Sequence, residues 1–317
     1  MLAAATAQGR TVLVNAAREP EISDLADFLN GCGARIHGAG EGTIVINGVK
    51  ALSGTEHTVI PDRITAATYM AAAAVTHGHL TLRDIIPAYL GPVIPVMEEA
   101  GCDISICARD LTISAPPRLH RVHTVRTMPY PGFPTDAQAP VMAMTAIADG
   151  TSVIIENIFE SRYKHVSELM RLGAHIKVEG RVAVVEGVPF LSGAPVVAPD
   201  LRGGSSLVIA GLSARGNTEI TGVRHIDRGY EKIEESSRRL GRKSRGRSAM
   251  KQKKNSNLKR AAGPQKRPAA PAQADQTPRS RDEIRREQQL RSLKSGAGKG
   301  NPLSLCCFCC FSAWARC

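Results

Sequence analysis

The sequence contains four copies of one pattern, and this repeat restricts the chain to an architecture built from similar units. Each copy has a run of small apolar residues, then a glycine, then a short stretch in which apolar and polar residues alternate. The run predicts a helix and the alternation predicts a strand. The glycines are Gly9, Gly78, Gly150 and Gly216, separated by 69, 72 and 66 residues. We therefore expect repeated units of about 70 residues.

A second helix is predicted in each of the four units, and in the fourth it ends at Leu240 and Gly241. In the first three units it ends at a glycine, where a helix C-terminus often needs a left-handed residue: Gly33, Gly101 and Gly173. Short alternating strands follow, as in residues 175–188, where Gly180 marks the turn of a hairpin. Each unit then holds one apolar buried helix, one outer helix and a few short strands, so the predicted fold class is α+β.

A strand followed by an aspartate precedes three of the apolar helices, in residues 58–62, 124–136 and 195–200. The aspartates are Asp62, Asp136 and Asp200, and Arg63 and Arg202 follow two of them closely. An aspartate at a helix start can cap free N–H groups and complement the positive end of the helix dipole. Two interpretations remain open: the three residues are only caps, or three helix N-termini together form a pocket for anions.

The charge of the chain is divided unevenly. The formal net charge is +12, but residues 242–317 carry 19 of the 41 basic and 4 of the 29 acidic side chains, so residues 1–241 have a net charge of −3. This excludes a basic nucleic-acid binder for the body of the chain. The body keeps three of the eight cysteines, Cys32, Cys102 and Cys107. That number suits a reducing compartment, and we expect a cytoplasmic protein without a disulfide framework.

Six sequence motifs resemble those of the UDP-N-acetylglucosamine 1-carboxyvinyltransferases, a family of enolpyruvyl transferases. They are NAAREPEISDL (15–25), VIPDRI (59–64), FPTDAQA (133–139), FESRYKHV (159–166), DLR (200–202) and HIDRGYEKIE (225–234). The resemblance extends over residues 1–241 without an evident gap. Enzymes of this family transfer the enolpyruvyl group of phosphoenolpyruvate to the 3-hydroxyl of the sugar and release phosphate, at the start of peptidoglycan synthesis.

The resemblance implies two domains, each an inside-out α/β barrel of three repeated units with its helices inside. Residues 1–60 would be the last unit of the first domain, and residues 61–241 the second domain without its end. Residues 242–317 depart from the family, and their composition predicts a disordered basic tail. The family's reactive cysteine and first-domain arginines are not among these 317 residues, so we expect little transferase activity from the chain alone.

The resemblance also implies roles for individual residues. Asp136 corresponds to the carboxylate that takes the proton of the sugar hydroxyl, and Arg228 to the arginine that clamps phosphoenolpyruvate. The expected substrate-binding residues are Asp62, Arg63, Thr135, Arg162, Asp200, Arg202, Glu19 and Glu21. For Glu19 and Glu21 a solvated surface position is an equal alternative. The implied ligands are UDP-N-acetylglucosamine and phosphoenolpyruvate, with no cofactor, metal ion or membrane contact.

Two other functions remain open at this point. One is a non-catalytic fragment or fusion in which the basic tail binds a partner such as nucleic acid. The other is the shikimate-pathway enolpyruvyl transferase, which shares the fold and phosphoenolpyruvate. The runs NAAREPE and HIDRGYE favour the amino-sugar enzyme over that second alternative.

Overall fold

The computed structural model describes residues 1–239, in which helices alternate with short strands. The predicted tail, residues 242–317, lies outside the described residues. The α-helices of the described range are α1 (Leu2–Ala5), α2 (Pro20–Gly31), α3 (Arg63–Val75), α4 (Ile94–Glu99), α5 (Thr135–Thr145), α6 (Val166–Arg171), α7 (Leu201–Ser213), α8 (Arg224–Asp227) and α9 (Ile233–Arg239). The strands of this range are β1 (Arg10–Val14), β2 (Arg35–His37), β3 (Thr43–Asn47), β4 (His79–Leu82), β5 (Asp103–Cys107), β6 (Asp110–Ser114), β7 (Thr124–Arg126), β8 (Thr151–Ile155), β9 (His175–Glu179), β10 (Val182–Glu186), β11 (Pro195–Val197) and β12 (Glu219–Thr221).

The described strands form one small sheet for each predicted unit. The strand orders are β1-β3-β2, β4-β6-β5, β7-β8-β10-β9 and β11-β12. In the third unit β9 and β10 form an antiparallel hairpin, whereas β7 and β8 are parallel and are joined through α5. Strands β11 and β12 are also parallel and are joined through α7. The predicted order of small-residue helix, strand, outer helix and hairpin is found in the first three units, but in the first unit only Ala5 of α1 is buried.

Helices α3, α5 and α7 pack against one another at the centre of this arrangement. Their side chains are mostly buried, and Met70, Met142 and Leu207 are each 0% exposed. One hydrophobic core joins the three helices to the inner faces of the surrounding sheets. Burial on all sides explains why these helical sequences carry no polar stripe. The α+β fold class, with helices inside and sheets outside, is confirmed.

Residues 1–46 have a smaller hydrophobic cluster of their own. It lies between α1, α2 and the sheet of β1, β2 and β3, with Ala5, Leu29 and Ile46 at its centre. This cluster is separate from the main core around α5. The division into domains at residue 60 stays a prediction.

The glycines expected at the ends of the outer helices have the predicted conformation. The φ angles of Gly33, Gly101 and Gly173 are 96°, 91° and 93°, a region that a residue with a Cβ atom rarely enters. Each of these glycines therefore lets the chain leave its outer helix directly into the next strand.

The strand predicted from residue 58 towards α3 is wrong, because residues 48–62 form neither strand nor helix. This part of the chain is held against α2 instead of along β4. The backbone N–H of Ser53 donates to the Cys32 carbonyl at 2.8 Å, and His57 Nε2 lies 2.9 Å from Asp24 Oδ1. A short apolar run shows that a strand is possible, but it does not show which part of the fold the segment contacts.

The buried position of α5 predicts a clear difference between two methionines. We expect Met142→Ala to lower the free energy of unfolding by roughly 2–5 kcal/mol, because it leaves a cavity among the central helices. Met170 on α6 is 51% exposed, so Met170→Ala should change it by no more than about 0.5 kcal/mol. Urea denaturation of both variants would measure this, and equal losses would contradict the central position of α5.

Candidate active site

Asp136 lies in the first turn of α5 but does not cap it. The residue before the helix is Pro134, and no side chain caps this N-terminus. Instead Asp136 Oδ1 accepts a hydrogen bond from Arg162 Nη2, and Oδ2 accepts one from Arg202 Nη2 at 3.1 Å. The side chain of Asp136 is 38% exposed, whereas those of Arg162 and Arg202 are 20% and 16% exposed. The interpretation of Asp136 as a helix cap is therefore wrong.

The two arginines determine the ionisation of this carboxyl. Burial raises the pKa of Asp136, but the charges of Arg202 and Arg162 and their hydrogen bonds outweigh it and hold the pKa below its ordinary value. Burial lowers the pKa of Arg202, but the charges of Asp136 and Tyr230 and their hydrogen bonds outweigh it. The pKa of Arg202 is therefore above its ordinary value. The cluster therefore contains one carboxylate between two guanidinium groups, which leaves positive charge free for an anionic ligand.

Arg202 is held on its other side by a chain of hydroxyl groups. Its Nη1 donates to the Tyr230 hydroxyl at 3.1 Å, which lies 2.9 Å from Thr68 Oγ1. Thr68 Oγ1 in turn donates to the Ile64 carbonyl at 2.9 Å. Since that hydrogen is used, Tyr230 must be the donor to Thr68. Tyr230 and Thr68 are only 2% and 1% exposed, so this chain is part of the core.

These contacts connect the three central helices. Asp136 is the second residue of α5 and Arg202 the second residue of α7, whereas Thr68 lies in the second turn of α3. One continuous set of hydrogen bonds joins all three through Tyr230. That the three helix N-termini meet and form an anion pocket stays a prediction.

Asp62 and Asp200, in contrast, are caps. Asp62 Oδ1 accepts from the backbone N–H groups of Ile64 and Thr65 at 2.8 and 3.0 Å. Asp200 Oδ1 accepts from the backbone N–H of Gly203 at 2.7 Å. Both carboxylates are thus engaged by their own helices, and neither bonds to the arginines of the Asp136 cluster among the described contacts.

Arg162 stands on the loop that follows β8, next to a buried histidine. The guanidinium of Arg162 lies 5.2 Å from the centre of the Phe159 ring. His165 is 1% exposed. Burial and the charge of Arg162 lower the pKa of His165, and the charge of Asp200 raises it in part. The resulting pKa is about 4. This histidine is therefore neutral at physiological pH and adds no positive charge beside Arg162.

Arg228 is placed differently from the other arginines. It is exposed at the end of α8, and no described hydrogen bond or ion pair engages its guanidinium. Helix α8 is fixed beneath it, because Ile226 and Tyr230 pack with Ala198 and Ile233 in a small hydrophobic cluster. A fixed backbone with a free guanidinium suits the capture of an anion.

Arg63 and Glu21 are paired with each other, away from Asp136. Arg63 Nε donates to Glu21 Oε1 at 2.9 Å and Nη2 to Oε2 at 3.3 Å, and the guanidinium also lies 5.6 Å from the Tyr130 ring centre. Glu21 is thus paired with α3 while its side chain is 38% exposed, and its place in a substrate site stays a prediction. Glu19 precedes α2 without capping it and is half-buried.

Sequence reasoning missed three residues of this site: Thr68, Glu156 and Tyr230. Tyr230 lies in the motif that contains Arg228, but its contact with Thr68 crosses 162 residues of sequence. Glu156 is 1% exposed and follows the apolar strand β8. The one sequence signal for Glu156 is that it is a lone acidic residue directly after such a strand.

Other site types have little support in residues 1–239. No helix there has the length and apolar character needed to cross a membrane. The same range contains no group of three or more histidine, cysteine, aspartate or glutamate residues that could hold a metal ion. Its three cysteines are free, and burial raises the pKa of the Cys102 thiol to about 11.

Comparison with known proteins decides the family. Residues 1–236 match the family described as EPSP synthase (3-phosphoshikimate 1-carboxyvinyltransferase). The chain belongs to this family of enolpyruvyl transferases. A solved relative is the enolpyruvyl transferase NikO from Streptomyces tendae, which is 28% identical with a TM-score of 0.68 over 76% of this chain and 57% of that one. EPSP synthase from Acinetobacter baumannii, 22% identical with a TM-score of 0.58 over 75% of this chain and 58% of that one, supports the fold alone.

Curated members of the enolpyruvyl transferase family are more similar in sequence. UDP-N-acetylglucosamine 1-carboxyvinyltransferase 2 of Caldanaerobacter subterraneus is 52% identical over 241 residues, or 76% of this chain and 58% of the relative. UDP-N-acetylglucosamine 1-carboxyvinyltransferase of Synechocystis is 50% identical over 77% of this chain and 55% of the relative. The chain thus spans little more than half the length of the curated relatives it matches.

The contact between Arg202 and Tyr230 predicts a change in the titration of Asp136. We expect Tyr230→Phe to raise the pKa of Asp136 towards its ordinary value, because Arg202 loses the hydroxyl that holds it beside the carboxylate. Titration of the Asp136 carboxyl by carbon NMR would measure this. Tyr89→Phe is the control, since no described hydrogen bond involves its hydroxyl; an identical Asp136 titration in both variants would contradict the role of Tyr230.

Proposed function

We propose that the described residues form part of an active site that transfers the enolpyruvyl group of phosphoenolpyruvate to the 3-hydroxyl of UDP-N-acetylglucosamine. The observation that carries this proposal is the position of Asp136 between Arg162 and Arg202, with Arg228 exposed nearby on the segment anchored by Tyr230. Both substrates are anions, so the reaction needs guanidinium groups for binding and a carboxylate to move a proton. The names of relatives that are 50–54% identical support the same assignment.

Asp136 is the proposed base for the sugar hydroxyl. Both of its oxygens accept hydrogen bonds from arginines, and the arginines lower the pKa of Asp136 and make it a weak base. An anionic substrate that binds Arg162 and draws its guanidinium away from Asp136 weakens this hold, so the pKa of Asp136 rises when the substrate is in place. The base is then strengthened only in the occupied site.

The arginines are the proposed ligands of the anionic substrates. The hydroxyl oxygen loses its proton and attacks carbon 2 of phosphoenolpyruvate while carbon 3 gains a proton, which gives a tetrahedral ketal. A proton then leaves carbon 3 and the bond from carbon 2 to the phosphate oxygen breaks, so that the double bond is restored and phosphate is released. We assign Arg228 to the phosphoenolpyruvate end and Arg162 to the sugar nucleotide, with Arg202 between them. Guanidinium groups held in place before the reaction stabilise the developing negative charge without reorganisation. Thr135, Asp62, Arg63, Asp200, Glu19 and Glu21 remain proposed substrate-binding residues.

The choice of acceptor distinguishes this proposal from the shikimate-pathway alternative. Calorimetry on the 317-residue chain should show heat of binding for UDP-N-acetylglucosamine and none for shikimate 3-phosphate. Binding of shikimate 3-phosphate alone would favour the alternative, and binding of neither would count against both. A cytoplasmic setting belongs to the same proposal, and the free cysteines of the described residues suit it.

Asp136 predicts a large effect on the chemical step. Because the chain spans 58% of the Caldanaerobacter relative, residues 1–241 are placed in that protein instead of its matching segment, and phosphate release is measured. We expect Asp136→Asn to lower kcat by ~10²–10⁴-fold, since the amide cannot take a proton. The control Asp149→Asn changes a carboxylate that is 76% exposed. Near-normal turnover of the Asp136 variant would remove this residue from the chemistry.

Arg228 predicts a separate effect on phosphoenolpyruvate. In the same chimera we expect Arg228→Ala to raise the KM for phosphoenolpyruvate by roughly 10–100-fold, the effect of losing a charged hydrogen bond. The KM for UDP-N-acetylglucosamine should change much less. Arg224→Ala removes an exposed charge from the same short helix and should leave both values unchanged. An unchanged phosphoenolpyruvate dependence in the Arg228 variant would show that this arginine is not the clamp.

A further inference from the structure

Glu156 is a buried carboxylate that no guanidinium or ammonium group contacts among the described residues. It is 1% exposed and accepts hydrogen bonds only from neutral donors. Its Oε1 accepts from Thr127 Oγ1 and the backbone N–H of Ile158, both at 2.9 Å, and from the N–H of Phe159 at 3.1 Å. Its Oε2 accepts from Thr135 Oγ1 at 2.9 Å. An ion removed from water needs such donors, because without them its burial is very unfavourable.

The donors connect the two sides of the Asp136 cluster. Thr135 begins α5 and directly precedes Asp136. Ile158 and Phe159 begin the loop that carries Arg162. The Glu156 side chain therefore bonds both to the first residue of α5, the helix that carries Asp136, and to the start of the loop that carries Arg162.

The contact at Oε2 also fixes the direction of the Thr135 hydroxyl. A hydroxyl has one hydrogen to donate and two lone pairs that accept. Since Thr135 donates its hydrogen to Glu156, it can only accept from a ligand. Thr135 is half-buried beside Asp136, so these lone pairs remain within reach of a molecule bound there.

We propose that Glu156 is a positioning residue that makes the Thr135 hydroxyl an acceptor for a donor group of the sugar nucleotide. The inference rests on the proposed function. Glu156 does not touch the substrate in this scheme; it acts through Thr135 and keeps the loop of Arg162 in place.

Glu156→Gln separates these two actions. The backbone N–H groups of Ile158 and Phe159 can only donate, so the amide oxygen must occupy the position of Oε1. The new NH₂ group then faces Thr135 and donates to its hydroxyl oxygen. The loop keeps its acceptor, whereas the Thr135 hydroxyl is reversed and points its hydrogen towards the site.

The experiment is a double-mutant cycle on the full 317-residue chain with Glu156→Gln, Thr135→Val and both together. Calorimetry measures the dissociation constant of UDP-N-acetylglucosamine, and hydrogen exchange measures protection of the Ile158 and Phe159 amides. Glu186→Gln is the control, because Glu186 is exposed at the end of β10 and no described side-chain hydrogen bond involves it.

We expect each single variant to weaken binding about five- to tenfold, the usual effect of one hydrogen bond. The double variant should bind no more weakly than Thr135→Val alone, since both changes act on one hydroxyl. Amide protection in Glu156→Gln should equal that of the unsubstituted chain, and Glu186→Gln should bind normally.

Three results would overturn the inference while leaving the proposed function intact. The first is normal binding of UDP-N-acetylglucosamine by Glu156→Gln. The second is a loss of affinity in the double variant that equals the product of the two single losses. The third is loss of Ile158 and Phe159 amide protection together with loss of binding, which would indicate a structural role only. Failure of the unsubstituted chain to bind UDP-N-acetylglucosamine is a different result; it would overturn the proposed function and this inference with it.

Discussion

The packing of α3, α5 and α7 against one another is the constraint on which the rest of the structure depends. Because all three helices are buried, their polar ends are the only places where backbone N–H groups can reach other partners. The N-terminus of each helix carries the positive end of a helix dipole. Asp62 and Asp200 complement this end of α3 and α7 as caps, and Asp136 lies in the first turn of α5.

A shift of two positions gives these aspartates different contacts. Asp62 and Asp200 stand immediately before the first helical residue and bond to their own backbone N–H groups. Asp136 stands one residue inside α5, so its carboxylate points away from the N-terminus and meets Arg162 and Arg202. Two caps thus stabilise the helix ends, and the third carboxylate is left for chemistry.

The sequence was sufficient to predict the features that arise from local pattern. The repeat, the apolar helices and the left-handed glycines such as Gly101 depend on neighbouring residues, and all were found. The strand expected from Thr58 was wrong, because contacts with α2 that lie far away in sequence hold this segment instead. The Asp136 cluster was predicted only as separate motifs, since contacts such as that of Tyr230 with Thr68 span 162 residues. The local sequence does not indicate that Tyr230 and Thr68 are neighbours in the fold.

Arg202 connects the fold to the proposed chemistry because it has two sets of partners. Through Nη1 it belongs to the buried chain of Tyr230 and Thr68, and through Nη2 it holds Asp136. A guanidinium fixed on the protein side cannot follow a departing anion, so its charge stays where phosphate would bind and leave. The hydroxyl chain that joins the three central helices therefore also keeps the site preorganised, which is the property that electrostatic catalysis requires.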